Sequence, residues 1–251
     1  MVDLPEAPGS AHRPAALVLP VAPGRPGWQL SGDSGAVAGL SVLLAALDLA
    51  PPGALVDLVG DDPSPALLAA VYSTRLVRAV AADGLVAHAA RQAAASNALP
   101  LVVEERLLGG ADGTSLDDYA AATGLEPAVV HIGAGVDPST VLAGAGGTLT
   151  SHRPWIVVTG RRHGHAGIAV LPRAIAHSYS MMTERDMPGH QGRYVLAPDG
   201  APAVFPRRVR AWAQVLQSLR VAAPAPVGRA PAPLPVDALD LRDADEPARP
   251  G

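Results

Sequence analysis

Residues 114–161 read TSLDDYAAATGLEPAVVHIGAGVDPSTVLAGAGGTLTSHRPWIVVTGR, and this pattern is the clearest indication of the fold. It predicts a short apolar strand at residues 128–132, a glycine turn, a helix that begins at Asp137-Pro138, and a second apolar strand at 155–159. Strand, turn, helix and strand in this order form one βαβ crossover of a parallel sheet. Ligands of open α/β sheets bind at the carboxyl ends of such strands, so Gly133-Ala134-Gly135 is the first place to look for a site.

The same alternation continues toward the N-terminus, while the pattern after residue 161 is looser. Apolar runs predict strands at 15–21 (an edge strand), 54–59, 76–81 and 101–105, and helices at 33–49, from Ser64 onward and at 85–97. After the quoted stretch we expect a β-hairpin of strands 194–197 and 203–205 around Pro198-Asp199-Gly200, then a helix at 207–219. The patterns predict an α/β fold with a doubly wound, mostly parallel sheet, followed by a C-terminal hairpin and helix.

The two ends of the chain differ in composition from its middle, because prolines gather there. We therefore predict a flexible N-terminal arm at 1–14, an α/β domain at 15–221, and a Pro-rich, acidic, disordered tail at 222–251.

Composition excludes several classes of chemistry. The chain of 251 residues has no cysteine, and all 19 basic residues are arginine, so thiolate catalysis, Cys-based metal sites, Schiff bases and a P-loop lysine are excluded. A net charge of −4 predicts no general attraction to nucleic acid. We find no apolar run long enough to span a membrane and no signal-peptide pattern at the N-terminus, so we expect a soluble cytoplasmic protein.

Local signals mark the helix ends. Ser64 followed by Pro65 predicts a capping hydroxyl with proline in the first helical position. Ser115 with Asp118 three residues later resembles a capping box. Glycines 144, 146 and 147 fall inside the helix predicted from Asp137, and we interpret them as close packing of that helix on the sheet.

The order of residues from 114 onward resembles FkbM-type methyltransferases. In that family a T-L-D-D-type segment precedes a strand that ends K-I-D-V-E-G, a helix of the V-L-x-G-A kind, and then R-P with an apolar strand. Without a gap, HIGAGV (131–136), VLAGA (141–145) and RP (153–154) fall on these motifs, and the similarity covers roughly residues 54–160. The resemblance implies the Rossmann-like sheet of S-adenosylmethionine enzymes and O-methyl transfer to a hydroxyl of a small natural product or sugar.

The resemblance also implies a cofactor site, although this chain departs from the family's motifs there. The family's first strand ends in D-x-G-x-x-x-G, and here Asp57 matches while Val59 and Pro63 stand on the glycine positions. Gly60 serves only after a shift of one residue, and Asp83 is the acid expected after the second strand, where it would hold the ribose. On the fourth strand the family's lysine and two acids are replaced by His131, Gly133 and Gly135.

Three groups of residues near the predicted strand ends are candidates for a site. Gly133 and Gly135 form either a cofactor loop that opens a helix or a tight turn with Asp137 as the helix N-cap. His131 and His165, both near strand ends, are candidates for the general base that would activate an acceptor hydroxyl. The histidines at 163, 165, 177 and 190 lack metal-ligand spacing, so we predict solvated loop histidines and no metal.

Two functions therefore remain open from the sequence. The first is an S-adenosylmethionine-dependent O-methyltransferase with a small-molecule substrate. The second is a catalytically degenerate protein of the same fold, which binds or scaffolds a protein partner. No nucleic-acid or membrane partner is expected in either case.

Overall fold

The chain forms nine strands and seven helices within residues 16–19, 28–31, 34–109, 113–159, 178–183, 193–198 and 203–221, which are the residues described in this computed structural model. In chain order these are β1 (Ala16–Leu19), β2 (Trp28–Ser31), α1 (Ser34–Leu49), β3 (Ala54–Val59), α2 (Ser64–Tyr72), β4 (Val77–Ala81), α3 (Gly84–Ser96), β5 (Leu101–Glu105), α4 (Leu116–Thr123), β6 (Pro127–Ile132), α5 (Pro138–Ala143), α6 (Gly146–Ser151), β7 (Trp155–Val158), β8 (Tyr179–Met182), β9 (Tyr194–Pro198) and α7 (Phe205–Val221). The predicted arm at 1–14 and tail at 222–251 lie outside the described residues.

Seven of these strands form one sheet with the order β5-β4-β3-β6-β7-β9-β8. The five strands from β5 to β7 are parallel, whereas β9 runs antiparallel to both β7 and β8. This architecture confirms the predicted Rossmann-like, mostly parallel α/β fold. The chain moves outward from β3 to β5 on one side and from β6 to β7 on the other, so the topological switch point lies between β3 and β6.

Helices cover both faces of the sheet and divide the core into two layers. On one face α1, α2, α3 and α7 pack over side chains such as Leu55, Val59 and Val157. On the other face α4, α5 and α6 pack over side chains such as Val56, Val130 and Ile156. The strands β3 and β6 are buried along their whole length, because both of their faces are covered.

The C-terminal antiparallel pair differs from the predicted hairpin. The predicted first strand is present as β9, but its partner is β8, which precedes it in the chain. The predicted second strand at 203–205 is wrong, since residues 203–204 form a turn and Phe205 begins α7. Phe205 is fully buried against Trp155, with ring centroids 5.4 Å apart, so it extends an amphipathic helix rather than an edge strand.

Three local predictions also need correction. Ser64 does not cap α2 with its own hydroxyl: the Asp62 carboxylate accepts the N–H of Ser64 at 2.9 Å, and Pro63 holds the N-cap position. The helix predicted from Asp137 divides into α5 and α6, because Gly144 ends the first part. The N-terminal strand β1 pairs with β2 in a separate two-stranded sheet and is not an edge of the large one.

No helix among the described residues has the length and apolarity that a bilayer crossing requires.

Candidate functional site

The carboxyl ends of the parallel strands lie at one edge of the sheet, and the loops that follow β3 and β6 meet there. The N–H of Gly133 donates to the carbonyl of Leu58 at 3.0 Å, and the N–H of Asp61 donates to the carbonyl of Ala134 at 3.3 Å. A β-carbon on Gly60 would lie 1.4 Å from the carbonyl oxygen of Ala134. Residue 60 is therefore glycine because two backbones touch at this point.

The turn at 133–135 has the geometry of a tight turn with an N-cap. Gly135 has a φ of +91°, a backbone conformation that favours glycine. Asp137 caps α5, since its carboxylate accepts the N–H of Ser139 at 3.0 Å and the hydroxyl of Thr140 at 2.7 Å. The Asp137 carboxylate occupies the place at the helix N-terminus where an anion would bind. A cofactor that contacts Gly133 and Gly135, as predicted, can therefore approach only the outer side of the turn.

Asp83 follows β4 at the same edge and is exposed to solvent. Its Oδ1 accepts the backbone N–H groups of Leu85 at 2.7 Å and of Val86 at 3.4 Å, so this side chain is the N-cap of α3. Both hydrogen bonds use the same oxygen. Its position after the second parallel strand is the one predicted for an acid that would hold a ribose.

The predicted residues Asp57 and His131 are brought together in the core, although they are 74 positions apart in sequence. They stand opposite each other on the adjacent strands β3 and β6. His131 Nδ1 lies 2.6 Å from Asp57 Oδ1, and the side chains of both residues are 1% exposed. The other ring nitrogen, Nε2, lies 2.9 Å from the hydroxyl of Thr159, which directly follows β7. Three neighbouring strands thus contribute one hydrogen-bonded chain, Asp57–His131–Thr159.

The hydrogen-bond directions in this hydrogen-bonded chain depend on the tautomer of His131. An ionised carboxylate only accepts hydrogen bonds, so the tautomer that pairs with an ionised Asp57 is the one in which Nδ1 donates to it. In a neutral imidazole Nε2 is then an acceptor, and the hydroxyl of Thr159 donates to it. The second oxygen of Asp57, Oδ2, is buried and has no hydrogen-bond partner among the described residues.

Thr159 is the member of this hydrogen-bonded chain that lies nearest the edge, since the residue is half-buried whereas the side chains of Asp57 and His131 are enclosed. Helix α1 passes close to it at Gly39: a β-carbon there would lie 3.3 Å from Cγ2 of Thr159 and 3.3 Å from Nε of Arg193. The buried side chain of Arg193 therefore packs beside Thr159 under α1. Thr159 was not among the site residues predicted from the sequence. Its signal is a hydroxyl at a strand end, on the side of β7 that faces His131.

A second polar cluster lies on the opposite face of the sheet. Glu104 accepts from Arg78 at 2.6 Å and from the hydroxyl of Tyr119 at 2.8 Å. Burial, together with the hydrogen bond to Glu104, raises the pKa of Tyr119 to about 12. Burial raises the pKa of Glu104, but its hydrogen bonds from Tyr119 and Arg78 outweigh that effect and leave this pKa below its usual value. The cluster ties α4 to β4 and β5.

Three cavities lie away from the carboxyl edge. A cavity of about 630 Å³ opens at the amino ends of the strands, beside Gly53, Leu76 and Glu126. One of about 380 Å³ lies between α4 and α6, and one of about 270 Å³ lies where α1, α2 and α7 meet. No group of three or more metal-ligating side chains occurs in the part of the chain that the structure describes. His165 and the other histidines at 163, 177 and 190 lie outside that part.

Among the described residues, the part of the edge formed by the ends of β3, β4 and β5 is mainly acidic. Asp61 follows β3, Asp83 follows β4 and Glu105 ends β5, and all three are exposed. Arg106, directly after Glu105, is the nearest cation in sequence and lies 5.8 Å from the ring centroid of Tyr119. This part of the edge favours a ligand group that carries positive charge.

No family model matches the chain, and no curated protein matches it in sequence, so the FkbM resemblance stays a prediction. Solved structures with a similar fold include MtNAS in complex with MTA and tNA, at 18% identity and a TM-score of 0.40 over 66% of this chain and 61% of that one. A SAM-dependent methyltransferase from Agrobacterium tumefaciens matches at 12% identity and a TM-score of 0.47, over 68% and 64% of the two chains. A protein of the NADB-Rossmann superfamily from Streptococcus agalactiae matches at 13% identity and a TM-score of 0.42, over 71% and 96%. The chain spans less than two thirds of the length of the first two.

Proposed function

We propose that the chain is an S-adenosylmethionine-dependent methyltransferase that acts on a hydroxyl group of a small molecule, such as a natural product or a sugar. The observation that carries this proposal is the pair of exposed acids at the carboxyl edge of the sheet, where Asp61 follows β3 beside the switch point and Asp83 follows the neighbouring strand β4. Ligands of this fold class bind at that place. The FkbM resemblance over residues 54–160 supports the same conclusion.

The residues at the edge fit the cofactor's functional groups. Asp83 can accept hydrogen bonds from ribose hydroxyls with its second oxygen, and the carboxylate of Asp61 complements the positive charges of the sulfonium and ammonium groups. Bound S-adenosylmethionine would supply an electrophilic methyl group. Val59, which stands on a glycine position of the family motif, is 3% exposed and packs into the core toward α1. Its side chain therefore does not project over the edge.

Calorimetric titration of the full chain with S-adenosylmethionine and S-adenosylhomocysteine tests this proposal. We expect binding by the wild type and an affinity at least about tenfold lower for Asp83→Asn, the loss of roughly 1.4 kcal/mol. Asparagine is an equally good N-cap, so this variant should keep α3 and fold normally. Glu126→Gln, with the same change of charge at the amino end of β6, is the control and should bind like the wild type. Absence of heat at millimolar ligand would contradict the proposal.

One observation favours the second function, a degenerate protein that keeps the fold and binds a partner. The loops after β3 and β6 touch through their backbones at Gly60 and Ala134, so no ligand group can enter between them. The titration separates the two functions, since a folded protein that binds neither compound has the properties of the degenerate form. Binding that weakens in Asp83→Asn would exclude it.

A further inference from the structure

We propose that the hydroxyl of Thr159 contacts the acceptor substrate, and that it passes the acceptor's proton to His131, which Asp57 holds in position. This inference rests on the proposed function and adds to it the route by which the acceptor is deprotonated. Thr159 and His131 are then catalytic residues, and Asp57 is a positioning residue that acts through His131.

The solvent accessibility of Asp57, His131 and Thr159 decides which of them can contact the substrate. The side chain of His131 is 1% exposed and lies between Asp57 and Thr159, so a small molecule cannot reach either ring nitrogen. The hydroxyl of Thr159 binds to Nε2, and its residue directly follows β7 at the carboxyl edge. His131 can therefore act as a base toward a substrate at this edge only through the hydroxyl of Thr159.

The cost of burying these groups also indicates a function. Asp57, with its buried Oδ2 atom, and His131 lie in a layer built mainly from apolar side chains such as Leu55, Val129 and Val157. Apolar residues of similar size at buried ionic positions are usually neutral or stabilising, so stability alone does not account for a carboxylate and an imidazole at these positions. Real proteins break such packing rules mainly at functional sites.

The proposed proton transfer is balanced at each atom. The acceptor hydroxyl gives its proton to Oγ1 of Thr159 while Oγ1 gives its own to Nε2 of His131, and the resulting imidazolium faces the carboxylate of Asp57. Bound S-adenosylmethionine would supply the methyl group to the acceptor oxygen, and its sulfur would keep the electron pair of the broken carbon–sulfur bond. Arg193 is the buried cation beside Thr159, and it stays charged throughout.

Nuclear magnetic resonance of the full chain without any ligand tests the hydrogen-bond chain. The protein has 8 histidines, and loss of one ring signal in His131→Gln assigns the imidazole. We expect Nδ1 to be protonated and Nε2 to be an unprotonated acceptor at neutral pH. Thr159→Val should shift the Nε2 resonance, whereas Thr159→Ser, which keeps the hydroxyl, should leave it near the wild-type position. Thr150→Val removes an exposed hydroxyl of α6, on the other face of the sheet, and should change nothing at His131.

Methyl transfer to a panel of simple alcohols, sugars and phenols tests the catalytic role by release of S-adenosylhomocysteine. Thr159→Val should lower the rate by about 10²- to 10⁴-fold, Thr159→Ser by much less, and both should bind S-adenosylmethionine like the wild type. A protonated Nε2, or an unchanged rate in Thr159→Val, would overturn the inference. A wild type that binds no S-adenosylmethionine contradicts the proposed function instead. In that case the protonation of the His131 ring still tests the Asp57–His131–Thr159 hydrogen bonds.

Discussion

Gly60 shows how one residue can determine the shape of the carboxyl edge. The carbonyl of Ala134 occupies the space that a side chain at position 60 would need, and the same contact brings the loop after β3 against the loop after β6. The family resemblance places Gly60 near a cofactor, whereas its surroundings in the structure are backbone atoms of its own chain. A residue without a side chain is therefore needed at position 60 because the two loops meet there.

Gly60→Ala should destabilise the fold by more than about 2 kcal/mol, because the added carbon meets backbone rather than a flexible side chain. Gly146→Ala is the matched control: nothing lies within 4 Å of its added carbon, and alanine is the better helix former in α6. Urea unfolding of both variants gives the comparison. Equal stability of the two variants would show that the loops separate at little cost.

Asp117 is a second residue whose role depends on a distant partner. It lies in the first turn of α4, yet its carboxylate accepts the N–H groups of Gly147 and Thr148, at 2.7 and 2.6 Å, and so caps α6. Burial tends to raise the pKa of Asp117, but the hydrogen bonds from Thr148 and Gly147 outweigh burial and lower it below its usual value.

Because the pKa of Asp117 is lower in the folded state than in the unfolded state, its contribution to stability is present above the unfolded pKa and is lost as the pH falls through the folded one. The difference in unfolding free energy between wild type and Asp117→Asn should therefore be largest near neutral pH and shrink below about pH 4. Urea unfolding across this range measures it. A difference that does not change with pH would contradict this assignment.

At the scale of elements, the C-terminus of α1 is closed by a side chain from the loop before β4. The guanidinium of Arg75 donates to the carbonyls of Leu47 at 2.7 Å, Ala50 at 2.6 Å and Pro51 at 2.5 Å. These carbonyls have no partner within the helix, and the positive charge also complements the helix dipole. Burial lowers the pKa of Arg75, with Asp48 opposing the effect.

Arg75→Ala should lower the free energy of unfolding by about 2 kcal/mol, since several charge-assisted hydrogen bonds are lost together. Arg75→Lys keeps the charge without the planar fork and should recover only part of that loss. Arg210→Ala, an exposed arginine of α7, should stay within about 0.5 kcal/mol of the wild type. Thermal unfolding of the three variants is the measurement, and equal effects of the two alanine variants would rule out the cap.

Elements were predicted well where their signals are local. The bounds of β3 and β5 agree with the predicted ranges, because a short buried strand appears directly as an apolar run between turn residues. The division of the predicted helix into α5 and α6 could not be read in the same way. Ser115 packs against Gly144, and Asp117 caps α6, and both partners are about 30 residues away in the chain.

At the scale of the whole molecule, α7 connects the end of the described chain to its beginning. Trp212 on α7 donates its ring N–H to Asp48 at the end of α1, at 2.7 Å, and its ring stacks edge-on with Tyr72 of α2 at 5.6 Å. Phe205, Val209 and Leu216 on the same helix are buried in the layer that α1 shares with the sheet. The core layer on this face of the sheet therefore needs residues from both ends of the domain.

Phe205→Ala should destabilise the protein by about 3–5 kcal/mol, the usual cost of removing a fully buried aromatic ring. Arg207→Ala, two positions along α7 and exposed, is the control and should have little effect. Chemical denaturation provides the values. A loss below about 1 kcal/mol for Phe205→Ala would mean that α7 is not part of the core that unfolds cooperatively.

The alternation of strands and helices and the helix caps at Ser115 and Asp137 could be predicted from the sequence alone, and the sequence also predicts the side of the sheet where a ligand should bind. These features depend on residues close together in the chain, so hydrophobic period and capping chemistry are sufficient to predict them. Asp57 and His131 were also named as candidates from the sequence, but for separate roles, as a cofactor contact and a base. Only the tertiary structure paired them, placed Thr159 at the end of their chain, and replaced the predicted hairpin partner of β9 with β8. The reason is that sheet order brings residues 57, 131 and 159 side by side, and no local pattern specifies which strands become neighbours.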